Sequence, residues 1–183
     1  ALIVHIDSPG GTVVGGEALF SSIRAVAEKK PVVALMGQVA TSAGYMVAIA
    51  ADRIFAHKGT ITGSIGIILQ TTELTGLLEK IGITTEAIKS GPLKAAPSLL
   101  EPMTDEVRRV TRALVADVHE NFVSLVAERR ALGLDDLRPL VDGRVFTGVA
   151  AVRNRLIDAI GSEAEARVWL NKDLGVTVEE SIP

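Results

Sequence analysis

The stretch LIVHIDSPGG, at residues 2–11, is a short apolar run that ends in a Pro-Gly-Gly turn. A run of this kind, bounded by turn residues, is typical of a buried strand. Apolar residues then recur at helical spacing over 17–28, and a second apolar run follows at 32–36. A small-residue helix pattern over 42–51 precedes a third short run at 53–56. This β-α-β-α-β order predicts an α/β fold with parallel strand pairing.

The second half of the chain is predicted to be mainly helical. Residues 74–81 have a helical pattern and 84–88 a strand pattern, whereas 90–102 contain three prolines and no clear period, which indicates a loop. Thr104 is a candidate N-cap for a long amphipathic helix that ends near Gly133. Shorter helices are predicted over 134–141, 148–153 and 163–170.

Composition limits the classes of function. The 183 residues are enough for one domain with a complete core, and no boundary is evident, so residues 1–183 are expected to form a single domain. Hydrophobic residues make up 48% and aromatic residues 3%, which predicts an aliphatic core. The net charge of −3, without a Lys/Arg cluster, argues against nucleic acid as a partner. The absence of cysteine excludes disulfides and thiolate catalysis.

The start of the chain bears on its relation to a membrane. No apolar run is long enough to span a bilayer, and no signal-peptide pattern is present. Ala1 directly precedes a strand pattern, and a domain rarely opens so abruptly. We therefore expect further strands and a membrane anchor upstream of this span, which is itself expected to be soluble.

Ser42 lies between a strand pattern and a small-residue helix, in the sequence ATSAGY at 40–45. At a helix N-terminus the macrodipole and unpaired N–H groups favour developing negative charge, and the Ala43 N–H could point at an oxyanion. Gly10 and Gly11 offer further N–H donors from a backbone that a ligand can approach closely. A lone serine here is more often simply an N-cap, and Pro-Gly is by itself a weak signal.

Lys94, in SGPLKAA at 90–96, is the candidate general base. A lysine must be neutral for this role; its ordinary pKa is about 10.4, and burial lowers it. The apolar residues between 93 and 100 are expected to provide that burial. The default for a lone loop lysine is nevertheless solvation; Lys58 is expected at the surface, while Lys89 could point either way. A hydroxyl nucleophile, an amine base and a glycine turn are the parts of a histidine-free serine hydrolase.

Other catalytic arrangements have less support. His5, His57 and His119 lack metal-ligand spacing and there are no thiols, so no zinc site is expected. A Ser–His–Asp triad would require folding assumptions that the sequence does not support. The segment 63–66, GSIG, is not a phosphate-binding fingerprint. We expect neither a metal nor a cofactor.

Five motifs, in order, resemble those of the signal peptide peptidase A family of Ser/Lys serine proteases, which have the Clp/crotonase fold. They are DSPGG at 7–11, ATSAGY at 40–45, TGSIG at 62–66, SGPLK at 90–94 and GRVFTG at 143–148. Each motif is weak alone, but the ordered set is specific and spans most of the chain.

The resemblance implies a fold and a site. The fold would be an α/β superhelix of repeated β-β-α units, with a mostly parallel sheet and a long C-terminal helical region, in a single protease domain. Ser42 would be the nucleophile and Lys94 the general base, with Ser64 orienting the lysine. The implied oxyanion hole is formed by the turn of Gly10 and Gly11, one of whose N–H groups acts together with the Ala43 N–H.

The chain departs from the family pattern at two places. The family usually has Gly where this chain has Ala43, but the backbone N–H that matters is retained. The family often has Asn-Gly-Leu-Val-Asp where residues 154–158 read NRLID, which leaves the conformation of that turn open.

The resemblance also implies a biological setting. The substrates would be apolar peptides such as released signal peptides. A single copy of each catalytic residue resembles the form that builds a ring of identical protomers, with sites shared between chains. The implied location is a bacterial or archaeal cell membrane, contacted through an anchor outside this span, with the catalytic domain outside the cytoplasm.

Two alternatives keep the fold but change the function. A crotonase-like acyl-CoA enzyme uses a similar oxyanion geometry, but it typically relies on a carboxylate acid/base pair, and none is well placed near the glycine turn. A non-catalytic oligomeric scaffold is the other alternative; the presence of both Ser42 and Lys94 argues against it.

Overall fold

The computed structural model describes residues 1–176. The described residues form two compact units, one made of residues 1–66 and 122–176, and one made of residues 67–121. The first unit contains a six-stranded sheet. Its strands are β1 (Leu2–Ser8), β2 (Val32–Thr41), β3 (Arg53–Ala56), β4 (Ile61–Gly63), β5 (Val145–Thr147) and β6 (Ala159–Ile160).

Strand β2 is the centre of the sheet. It pairs in parallel with β1, β3 and β4. Strand β6 pairs in parallel with β3, and β5 pairs antiparallel with β4. Residues 32–36 of β2 are almost fully buried, as expected for a strand with neighbours on both sides and both faces covered. The prediction of an α/β fold with a mostly parallel sheet is confirmed. The short strands β5 and β6 were not predicted.

A bulge divides β2 into two parts. Ile6 pairs with Met36 and Ser8 with Ala40, so Asp7 alone lies opposite three residues, 37–39. An Asp7 carboxylate oxygen accepts a 2.9 Å hydrogen bond from the Val39 N–H. The side chain thus replaces a backbone acceptor that the bulge removes. Beyond the bulge, β2 pairs with β4 instead of β3.

Two helices follow the first two strands. Helix α1, Val13–Ala27, is capped by Thr12, whose hydroxyl accepts from the Gly15 N–H. Helix α2, Ala43–Ala48, packs against α1 at Gly16, where a Cβ atom would lie 3.0 Å from the Met46 sulfur. Glycine at that position therefore allows the two helices to approach closely.

The C-terminal part of the first unit anchors α2 and β3. The buried Tyr45 hydroxyl donates a 2.8 Å hydrogen bond to the Leu156 carbonyl, and burial raises the pKa of Tyr45, which keeps it a neutral donor. Asp158 accepts from the Ile54 N–H at 2.7 Å and pairs with Arg130 at 2.8 Å. Removal of one partner from such a part-buried network leaves unpaired polar groups, which is costly.

The turn at residues 154–158, whose conformation the sequence did not determine, contains a residue with a backbone conformation usual for glycine. Arg155 has a φ of +59°, and its carbonyl accepts a 2.9 Å hydrogen bond from Arg130 Nε. Its guanidinium also contacts Asp136 at 3.0 Å. The turn thus keeps a left-handed residue although a non-glycine side chain costs about 1 kcal/mol or more there.

The remaining helices are joined by loops, the longest of which lies between residues 81 and 104. The long helix begins after Thr104, whose hydroxyl accepts from the Val107 N–H, so the predicted N-cap is confirmed. It ends three residues before Gly133. The helices after α2 are α3 (Thr75–Lys80), α4 (Asp105–Arg130), α5 (Leu134–Leu137) with a 3₁₀ turn (Arg138–Leu140), α6 (Gly148–Arg153) and α7 (Glu163–Leu174).

The second unit, residues 67–121, has no strand. The strand predicted over 84–88 is wrong: this segment is exposed, and Ile88 is 97% accessible. A strand requires a neighbour to accept its backbone hydrogen bonds, and none lies beside this segment. The segment is instead held by the Thr85 hydroxyl, which donates to the Leu100 carbonyl, and by an ion pair between Lys89 and Glu101.

A close backbone contact yields a stability prediction. At Gly148, the first residue of α6, a Cβ atom would lie 2.1 Å from the His57 carbonyl oxygen. We expect Gly148→Ala to lower the free energy of unfolding by about 2 kcal/mol, because backbone must move to admit the methyl group. Urea denaturation would measure the change. The matched control is Gly59→Ala, where no atom lies within 4 Å, and a similar loss in both variants would contradict the argument.

Candidate active site

Ser42 is the single residue between β2 and α2, and its backbone is strained. Its φ is +54° and its ψ is −121°, outside the regions that non-glycine residues normally adopt. Although Ser42 is at the N-cap position, its side chain makes no capping hydrogen bond. The simple capping role is therefore not what this serine performs. A strained serine on a sharp strand-to-helix turn is the geometry that presents a nucleophilic hydroxyl.

Backbone hydrogen bonds hold the turn on both sides. The Ser42 N–H donates to the Gly63 carbonyl at 2.9 Å, and the Ser42 carbonyl accepts from the Met46 N–H at 2.9 Å. Gly44 lies against the end of β1, since a Cβ atom there would be 2.9 Å from the Ser8 carbonyl oxygen. The small residues of α2 thus let the turn sit directly against the neighbouring strand.

The Pro-Gly-Gly turn after β1 contacts Ser42 directly. Gly10 has a φ of +121°, and a Cβ atom on it would lie 2.9 Å from the Ser42 Cβ and 3.3 Å from the Ser42 Oγ. Position 10 therefore requires glycine both for its backbone conformation and for space. Gly11 differs, because no atom lies within 4 Å of a Cβ placed there.

The predicted oxyanion-hole donors are distributed around this contact. Ala43 is the first residue of α2, so its N–H has no partner within the helix. The Gly10 N–H lies 3.2 Å from the Ser8 hydroxyl, whereas the Gly11 N–H donates to no group of residues 1–176. Of the two glycines, Gly11 is the one whose N–H is available to a ligand.

Ser64 lies next to the residue that holds Ser42. Gly63 precedes it with a φ of +87°, and Ser64 itself has a φ of +51°. The Ser64 N–H donates to the Arg144 carbonyl at 2.8 Å. Phe146 packs on Gly63, where a Cβ atom would be 2.7 Å from the ring. The structure thus brings Ser64 and the backbone of Ser42 together.

The motifs TGSIG and GRVFTG are therefore the two sides of one antiparallel pair, β4 and β5. Sequence reasoning did not single out Gly63 or Phe146. The signal that was present is the glycine before Ser64, which a turn with positive φ requires. Just before β5, hydrogen bonds from Arg144 lower the pKa of Asp142 to about 2, so this carboxylate stays ionised well into the acid range.

Lys94 belongs to the second unit, while the other five predicted site residues belong to the first. The Lys94 side chain is exposed, and the backbone N–H of Lys94 donates to the Gly91 carbonyl at 3.1 Å. The expected apolar burial is not present in the single chain: Leu93, Leu99 and Leu100 are themselves 37–49% accessible. The pairing of Lys94 with Ser42 stays a prediction.

Within residues 1–176, histidine- and metal-based arrangements find no additional support. His5 is exposed and lies 3.4 Å from a carboxylate oxygen of Glu163. His57 is exposed at the end of β3. No group of three or more His, Asp or Glu side chains in this part of the chain could hold a metal ion.

An apolar groove of about 500 Å³ lies beside the glycine turn, between β1, α1 and α2. Its walls are mainly aliphatic side chains and glycine backbone. The larger aliphatic residues lining it are Val4, Ile6, Leu19, Ile23 and Val47. Among residues 1–176, every helix is too short or too polar to span a bilayer.

Comparisons with known proteins agree with the family that the motifs resemble. The model of peptidase family S49 matches residues 24–177. A Synechocystis sp. protein named "Putative protease slr0021" is 42% identical over 92% of this chain and 61% of its own length. An Enterococcus faecium protein named "Putative signal peptide peptidase SppA" is 32% identical over 96% of this chain and 52% of its own.

An Arabidopsis thaliana protein named "Serine protease SPPA, chloroplastic" is 36% identical over the whole of this chain but only 28% of its own length. The chain therefore spans between about a quarter and three fifths of these relatives.

The strain at Ser42 leads to a testable difference between two variants. Disfavoured backbone conformations of this kind cost about 1–3 kcal/mol. Glycine relieves the strain at an entropic cost of about 0.5–1 kcal/mol, whereas alanine retains the Cβ atom and the strain. We expect Ser42→Gly to be about 1 kcal/mol more stable than Ser42→Ala in urea denaturation. Equal stability of the two variants would show that the turn is not strained.

Proposed function

Because the chain belongs to peptidase family S49, we propose that it is a serine endopeptidase in which Ser42 is the nucleophile and Lys94 the general base. The observation that carries the proposal is the strained turn at Ser42, packed against Gly10 and free of any capping role. A structural serine would not need this conformation. Strain of this kind persists where the surrounding structure imposes it, and it is concentrated at active sites.

The proposed reaction proceeds through an acyl-enzyme. Ser42 Oγ attacks the scissile carbonyl carbon while the neutral Lys94 amine takes its proton. The backbone N–H groups of Ala43 and of the glycine turn stabilise the resulting oxyanion. Lys94 then gives the proton to the leaving amine, and water, deprotonated by the same lysine, hydrolyses the ester to release the second product.

The exposure of Lys94 supports an assembled site. A lysine serves as a base in its neutral form, which burial favours, and Lys94 is exposed in the single chain. Leu93, Leu99 and Leu100 on the same loop are also partly exposed. We propose that a neighbouring protomer of a homo-oligomeric ring covers this loop and thereby provides the burial. Ser64, one residue from the carbonyl that holds Ser42, would orient the lysine.

Apolar peptides are the proposed substrates. The aliphatic groove beside the glycine turn supports this class of side chain, and one relative carries the name signal peptide peptidase. Released signal peptides would be presented at a membrane. We therefore propose that the protein acts at the cell membrane, through an anchor outside residues 1–183, with its catalytic domain outside the cytoplasm.

Single substitutions test the catalytic pair. We expect Ser42→Ala and Lys94→Ala each to reduce kcat for an apolar peptide by on the order of 10⁴-fold or more, since the two groups act as a unit. Cleavage of a fluorogenic peptide would be measured. Lys58→Ala is the matched control, because Lys58 is an exposed lysine on a turn of the first unit. Substantial activity of either variant would overturn the mechanism.

Mixing two inactive variants tests whether sites are shared. If Lys94 serves Ser42 of a neighbouring protomer, mixed oligomers of Ser42→Ala and Lys94→Ala chains contain some intact sites. We expect such mixtures to recover up to about a quarter of wild-type activity, as random pairing of the two contributions allows. Native mass spectrometry would establish that mixed oligomers form. No recovery in proven mixed oligomers would place both residues of a site in one chain.

A further inference from the structure

Two hydroxyl groups hold the backbone of the glycine turn. Thr41, the last residue of β2, is 7% accessible and donates a 2.8 Å hydrogen bond from Oγ1 to the Pro9 carbonyl. The Ser8 hydroxyl lies 3.3 Å from the Gly10 carbonyl and 3.2 Å from the Gly10 N–H. Neither side chain belongs to the proposed catalytic pair, and sequence reasoning assigned neither a role.

These bonds fix two successive peptide planes. In a trans peptide the carbonyl and the following N–H point in opposite directions. The Thr41 bond to the Pro9 carbonyl therefore directs the Gly10 N–H, and it does so towards Ser8. The Ser8 bond to the Gly10 carbonyl directs the Gly11 N–H away from Ser8.

The turn needs such support because glycine does not supply it. Gly10 and Gly11 lack side chains and can rotate their peptide planes at little steric cost. After the turn, the next residue, Thr12, is fixed as the N-cap of α1. Before the two glycines, the Pro9 carbonyl accepts the bond from Thr41. Because Thr41 adjoins Ser42, this bond ties the turn to the strand that precedes the nucleophile.

We propose that Thr41 and Ser8 are positioning residues for the oxyanion hole: Thr41 holds the Pro9–Gly10 peptide in the orientation in which Gly10 meets Ser8, and Ser8 holds the next peptide so that the Gly11 N–H points at the oxyanion. This inference rests on the proposed serine hydrolysis. Thr41 touches no reacting atom; it acts through the peptide planes of the turn. Donors to an oxyanion act by their preorganised direction, so loss of the Thr41 bond reduces transition-state stabilisation more than substrate binding.

The test compares Thr41→Val with Thr41→Ser. Valine keeps the β-branched shape and removes the hydroxyl, whereas serine keeps the hydroxyl. We expect Thr41→Val to lower kcat for an apolar peptide by on the order of 10-fold with little change in KM, and Thr41→Ser to retain most of kcat. Ser8→Ala should have a smaller effect in the same direction, because its bonds are longer.

Thr60→Val is the matched control. Thr60 is 1% accessible, and its hydroxyl donates a 2.7 Å hydrogen bond to the Gly37 carbonyl, away from the turn. Its loss should reduce thermal stability much as Thr41→Val does while leaving kcat near that of the wild type. An equal fall of kcat in both variants, or none in Thr41→Val, would overturn the positioning role.

A second measurement separates this inference from the proposed function. If the wild-type protein lacks hydrolysis that depends on Ser42, the proposed function fails. The amide resonances of Gly10 and Gly11 in ¹⁵N-labelled protein still report the turn. We expect both to shift in Thr41→Val and to remain in place in Thr41→Ser and Thr60→Val. Unchanged glycine resonances in Thr41→Val would show that the hydroxyl does not position the turn, whatever the activity.

Discussion

Gly10 and Ser42 approach so closely that one added carbon atom would not fit between them. This contact depends on the parallel pairing of β1 and β2, which brings the ends of both strands to the same edge of the sheet. The bulge of β2 opposite Asp7 lies just before this edge, and on the side of β4 the Ser42 N–H donates to the Gly63 carbonyl. The local geometry of the turn is thus determined by three strands together.

Contacts around α2 stabilise the strained turn at Ser42. A strained conformation persists only where neighbouring structure imposes it. Here Tyr45 ties the helix to the Leu156 carbonyl, and Arg129 ties the end of α4 to the Ile49 carbonyl just after α2. Gly16 lets α1 pack directly on the same helix. These contacts come from both ends of the first unit, so the turn is held by long-range rather than local interactions.

Much of this fold was predictable because its signals are local. Aliphatic runs bounded by turn residues marked β1, β2 and β3, and helical periodicity together with Thr104 marked the start of α4. Predictions failed where formation depends on a distant neighbour. Residues 84–88 have a strand pattern but no strand beside them, whereas β5 and β6 are too short to show a pattern and exist because β4 and β3 accept them. The left-handed turn at Arg155 is likewise imposed by its contacts, since arginine does not favour it.

The fold class, the family motifs and the candidate residues could all be predicted from the amino-acid sequence, because residue type and spacing carry that information. Three features became visible in the folded chain alone: Ser42 is strained rather than a helix cap, position 10 has space for glycine only, and the N–H of Gly11 is available. Backbone dihedrals and close approaches arise from packing between segments far apart in the chain. The same reason explains why an apolar sequence around Lys94 did not ensure its burial: burial requires a neighbouring surface, and the loop itself does not provide one.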